Sequence, residues 1–310
     1  MALIPVAEAL ERLLDGAGPL PGESVPLMEA MERVLAEPVV ALRTQPPFDA
    51  SAMDGYAVRS ADLDTLPVRL SVIGAAPAGH AFAGAVGEKK AVRIFTGAPM
   101  PAGADTVVIQ ENTRDLGNSA IEVVEATAHG ANIRKAGLDF AEGDLLLEKG
   151  RRLDPAALSL AASANHPQLR VVRRPLVAMI ATGDELRAPG SAPGPGQIVS
   201  SNAYGVAATA HSVGARALDL GIAADRKEDI ADRIRQAVAA KADVLVTLGG
   251  ASVGDLDLVH DVLAAEGMTL DFWKVAMRPG KPLMSGRLGA MRCIGLPGNP
   301  VASLVCSQLF

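Results

Sequence analysis

The run Gly249-Gly250-Ala251-Ser252-Val253-Gly254-Asp255 stands between an apolar stretch, Asp243 to Leu248, and a helical pattern, Leu256 to Ala265. A glycine-rich turn in that setting aims backbone amides at a ligand beside a helix N-terminus, which makes an anion site. Leu296-Pro297-Gly298-Asn299-Pro300 repeats the arrangement. Two such corners in one α/β unit predict a pocket for a phosphorylated or oxyanionic ligand.

Acidic residues flank these turns: Asp184 and Glu185, Asp225, and Asp255 with Asp257. Carboxylates beside phosphate-binding turns suit Mg²⁺, which takes oxygen ligands and bridges to phosphates. Each acid alone also fits a helix N-terminus, where the macrodipole favours negative charge. Met277-Arg278-Pro279-Gly280-Lys281-Pro282 supplies the opposite sign. Arg offers planar donors and Lys a point charge, a combination suited to a tetrahedral oxoanion, though a solvated turn carries such charges too. A third polar turn, Ser51 to Tyr56, includes Asp54. No nucleophile elbow surrounds Ser252, and neither a dinucleotide fingerprint nor a Walker loop is present.

Hydrophobic spacing shows which elements position these residues. From Arg174 the chain alternates strand and helix, with apolar runs at Leu176 to Ile180, Ala217 to Leu220, Asp243 to Leu248 and Arg292 to Leu296. Such runs become buried parallel strands. Residues 174–310 are therefore predicted as a doubly wound, mostly parallel α/β domain, with ligands at the carboxyl ends of its strands. Asn299-Pro300 reads as the cap and first position of a last helix.

Residues 46–141 carry short β-rich runs divided by Gly and Pro and predict an inserted β domain. Residues 1–45 with 142–173 are read as a helical linker and dimerisation domain. Its predicted helices carry Val6, Leu10, Leu13 and Leu14, then Leu27, Ala30, Met31, Val34 and Leu35, and one more begins at Asp154-Pro155.

Over 310 residues, 49% are apolar and the net charge is −6, which disfavours a nucleic-acid partner. Cys293 and Cys306 form neither a disulfide framework nor a metal cluster. Neither a leader nor a membrane span of ~20 apolar residues is found, so a cytoplasmic protein is expected.

Seven segments together resemble the molybdopterin molybdenumtransferases, the MoeA and gephyrin E-domain family. They are Pro47 to Ala57, Arg93 to Ala98, Asn132 to Asp139, Thr182 to Glu185, Gly249 to Gly254, Arg278 to Pro282 and Leu296 to Pro300. The resemblance implies transfer of molybdenum from molybdate into adenylylated molybdopterin with release of AMP. It also implies Mg²⁺, a homodimer, and a molybdopterin adenylyltransferase as upstream donor.

By motif, Asp54, Thr96 and Asp139 would act from the β domain and Glu185, Asp225 and Asp257 from the α/β domain. The last three are the expected metal ligands. Substrate binding would fall to Gly249, Gly250, Ser252, Gly254, Arg278, Lys281, Pro297, Gly298, Asn299 and Ser303. Ala251, Leu138 and Ala302 depart from the family pattern, and the usual C-terminal β domain is expected to be lacking. The alternatives on these residues are a non-catalytic pterin-nucleotide binder or scaffold, and an Mg²⁺-dependent phosphohydrolase or nucleotidyl transferase.

Overall fold

A computed structural model describes residues 3–249 and 258–310. The chain divides into two compact units, Met1–Glu23 with Val172–Phe310, and Ser24–Val171.

The first unit is built on a six-stranded sheet. Its order is Arg216–Ala223, Leu176–Thr182, Val244–Leu248, Met291–Leu296, Met284–Leu288 and Thr269–Trp273. The first four strands run parallel, and the last two join antiparallel. Alternation along the strands sends successive side chains to opposite faces. Ala178, Ile180 and Leu245 pack with Ile230, Ile234, Val259 and Leu263, from the helices Lys227–Ala239 and Leu258–Ala265. On the other face, Met179, Ala181, Val246 and Leu248 pack with Ala9, Ala203, Val206 and Cys306. Those come from the helices Val6–Leu14, Asn202–Ser212 and Pro300–Leu309. Helices on both faces make this the doubly wound, mostly parallel α/β fold that the apolar runs predict.

The second unit holds another six-stranded sheet, in the order Thr106–Ile109, Gly55–Val58, Lys90–Ile94, Val68–Ala76, Ala120–Val123 and Thr113–Gly117. All its pairs are antiparallel except Val68–Ala76 with Lys90–Ile94. Neighbours divide between two cores: Val58, Ala91 and Val108 on one side, Ala57, Val92 and Val107 on the other. A third cluster gathers Ala30, Leu35, Leu153 and Val171 around Ala157 and Ala161 of the helix Pro155–Ser163. Asp154 caps that helix, accepting the Ala157 amide at 2.7 Å, and Pro155 occupies its first turn.

Two regions differ from the sequence expectation. Over Leu27 to Leu35 the chain makes one 3₁₀ turn, Leu27–Glu29, in place of a helix. Glu32 has φ 65°, a left-handed conformation that an α-helix cannot contain. Ala30 and Leu35 are buried, as the spacing requires, whereas Met31 and Val34 are exposed. The antiparallel strands Thr269–Trp273 and Met284–Leu288 were not expected. Among the described residues, no helix is long and apolar enough to cross a membrane.

Candidate functional site

Parallel pairing places the ends of four strands side by side. Thr182 pairs with Ala223, Ala181 with Leu248, and Leu248 with Leu296. The residues that follow, Gly183 to Glu185, Ala224-Asp225, Gly249 and Pro297 to Asn299, therefore leave one edge of the sheet together. Gly249 has φ +96°, and a Cβ there would sit 2.8 Å from the Thr182 carbonyl oxygen, so the corner requires glycine. Its amide donates to the Leu296 carbonyl at 3.2 Å, tying the two glycine corners to each other.

Asn299 turns the second corner into a helix. Its side-chain oxygen accepts the Ala302 amide at 3.1 Å, and its carbonyl accepts the Ser303 amide at 2.8 Å. A cleft of about 150 Å³ opens at this edge. Glu185, Ser200, Asn202, Gly249, Gly298 and Pro300 line it, over an apolar floor that includes Ala181 and Leu248.

The acids separate. Asp184 and Asp225 exchange hydrogen bonds: the Asp184 amide donates to Asp225 Oδ2 at 3.3 Å, and the Asp225 amide to Asp184 Oδ1 at 3.1 Å. Asp184 lines a second, wider cleft of about 500 Å³ with Gly183, Arg187 and Ala224, whereas Glu185 lines the first. Gly250, Ser252, Gly254 and Asp257 lie outside the described residues. Among the described residues, no three His, Cys, Asp or Glu side chains converge as metal ligands. The donors present at this edge are carboxylate oxygens, the ligand type that Mg²⁺ takes.

Arg278 and Lys281 are exposed, and neither side chain has a hydrogen-bond or ion-pair partner among the described residues. Their turn is anchored between them: a Cβ at Gly280 would lie 2.6 Å from Cys306 Sγ, on the helix that Asn299 caps. Ser303 sits on the same helix, fully buried, its hydroxyl without a partner among the described residues. Burial pushes the Cys293 thiol up to about 12 and raises that of Cys306. The two occupy cores on opposite faces of the sheet.

In the second unit, three motif loops meet. Thr96 donates both its amide and its hydroxyl to Asp54 Oδ1, each at 2.8 Å. The amide bond first, then the hydroxyl, with the nearby Arg93 charge adding to both, holds the Asp54 carboxyl below its ordinary range. Arg93 lies over the rings of Tyr56 and Phe95 at 5.1 and 4.9 Å and donates to the Gly55 carbonyl at 3.0 Å. Asp139 enters through the next loop, its amide bonded to the Gln45 carbonyl at 3.0 Å. Lys135 Nζ and the Ala136 amide bind Asp49 at 2.8 and 2.9 Å, joining that loop to the segment that leads to Asp54.

The loops and strand ends that carry this geometry coincide with two family models. Residues 4–165 match the MoeA N-terminal region (domain I and II), and residues 178–310 match a probable molybdopterin binding domain. The chain belongs to the molybdopterin molybdenumtransferase family.

A molybdopterin molybdenumtransferase of Haemophilus influenzae is 38% identical over 93% of this chain and 70% of the relative. That of Bacillus subtilis is 39% identical over 99% of this chain and 73% of the relative. A molybdopterin biosynthesis protein of the MoeA type from Pyrococcus horikoshii superposes with a TM-score of 0.85 at 33% identity, covering 99% of this chain and 78% of that one.

Within this molybdenumtransferase fold, sequence reasoning missed Asn202, which lines the first cleft and bonds the Gly298 carbonyl at 2.9 Å. The only local signal is the polar run Ser200-Ser201-Asn202 ahead of a helical pattern.

Proposed function

We propose that this chain transfers molybdenum from molybdate to adenylylated molybdopterin, releasing AMP, in molybdenum cofactor biosynthesis. The observation that carries the reading is the register of the four parallel strands, which delivers both glycine corners and the acids Asp184, Glu185 and Asp225 to one edge. Free amides there suit the pyrophosphate of the substrate, and Arg278 with Lys281 suits the incoming oxoanion.

Asp225 and Glu185, with Asp257, would hold Mg²⁺, and the ion would neutralise charge on the leaving phosphate. Around it, Gly249 and Gly298 bind and Asn299 orients the helix amides. We further propose a homodimer in which Asp54, Thr96 and Asp139 of one copy serve the strand-end cleft of the other, fed by a molybdopterin adenylyltransferase. The three-part division at 46–141, with residues 1–45 and 142–173 as dimerisation domain, belongs to the same proposal. The free thiols Cys293 and Cys306 fit a cytoplasmic setting.

The direct test is incubation with adenylylated molybdopterin, Mg²⁺ and molybdate while following AMP. Molybdate-dependent AMP release supports the proposal. Tight pterin binding with no AMP release would instead mark a non-catalytic binder.

A further inference from the structure

We propose that Asn202 is a positioning residue that aims the Asn299 backbone amide at an oxyanion of the substrate. This rests on the transferase reading above. Pro297 and Pro300 have no N–H, so the corner Pro297-Gly298-Asn299-Pro300 can offer only the Gly298 and Asn299 amides. Neither amide has a partner among the described residues.

The Gly298 carbonyl and the Asn299 N–H belong to one planar trans peptide and point in opposite directions. Asn202 Nδ2 holds that carbonyl at 2.9 Å, across 96 residues of sequence. Fixing the oxygen therefore fixes the N–H, which points to the far side of the peptide from Asn202.

Two further contacts keep this link in place. A Cβ at Gly205 would meet Leu304 Cδ2 at 2.5 Å, so the helix that begins at Asn202 packs closely on the helix that Asn299 caps. A Cβ at Gly298 would come 3.7 Å from the Gly249 Cα, so the aimed peptide lies against the other glycine corner. Asn202 is itself only partly buried, and its side chain makes no other hydrogen bond among the described residues, so its bond contributes little to the core.

Steady-state AMP release tests the role, with molybdate and adenylylated molybdopterin varied separately, in the intact chain and in Asn202→Ala and Asn202→Asp. The aspartate keeps the shape, removes the donor and sets a carboxylate against the Gly298 carbonyl. Misaiming the Asn299 N–H, and so weakening its hydrogen bond to a charged oxyanion, predicts a KM raised about tenfold in Asn202→Ala, and more in Asn202→Asp. The KM that rises identifies the oxyanion, phosphate or molybdate, while kcat and the melting midpoint stay close to those of the intact chain.

Unchanged KM values for both substrates in both variants would overturn the proposal. So would a fall in kcat and melting midpoint together without a KM change, the pattern of a purely structural contact. Failure of the intact chain to release AMP would sink the transferase reading instead.

Discussion

The strand-end edge of the α/β unit and the loop cluster of the β unit both gather motif residues, but by different means. At the strand ends, backbone does the work: parallel register sets the positions, and glycine at 249 lets the chain pass close to the Thr182 carbonyl. In the β unit, side chains staple the loops: Asp54 to Thr96, and Asp49 to Lys135 and Ala136. The lesson is that substitutions of the strand-end glycines act through geometry, whereas those of the loop-stapling side chains act through charge and so respond to pH.

The largest expected effect tests whether the two units respond separately, and it uses a glycine in a strand of the β unit. A Cβ at Gly55 would overlap the Val108 carbonyl oxygen of the paired strand. Gly55→Ala is expected to destabilise the β unit by about 3 kcal/mol. The only tryptophan, Trp273, reports on the α/β unit alone. In urea unfolding, circular dichroism should show an earlier transition while Trp273 fluorescence keeps its midpoint. Parallel shifts of both signals would erase the distinction between the units.

Gly249→Ala addresses the strand-end edge. Its positive φ and the Thr182 carbonyl 2.8 Å away predict a loss of about 2 kcal/mol, seen in the Trp273 transition, together with loss of AMP release. Retained activity would mean that the corner need not be held by backbone. Asn299→Ala, which removes the cap on the Ala302 amide, should cost about 1 kcal/mol by the same measurement.

Thr96→Val is the mildest change and probes charge. It removes the hydroxyl and leaves the amide, so the Asp54 carboxyl should move part of the way up towards its ordinary value, read by NMR titration. Because the folded-state pKa is lowered, the Asp54 clamp stabilises fully above the ordinary carboxylate range. Its contribution disappears as pH falls through the lowered value. An unmoved titration would assign the shift to the backbone alone.

The sequence makes visible what is local and periodic. The four parallel strands, the caps at Asp154 and Asn299, and the glycine corners all follow from spacing and residue type. The missing helix at Leu27 to Leu35 shows where periodicity misleads, since Ala30 and Leu35 reach the core by a turn with left-handed Glu32. Asn202 illustrates the other limit, because its partner lies 96 residues away and no local pattern marks such a bond. Likewise, adjacent acids read as one group, but Asp184 and Glu185 enter different clefts.

The measurement that bears most directly on the central claim is AMP formation from adenylylated molybdopterin with Mg²⁺, with and without molybdate, in the intact chain and in Glu185→Gln. The account predicts molybdate-dependent AMP release that falls about a hundredfold in the variant. Equal release by both proteins, or release indifferent to molybdate, would contradict it.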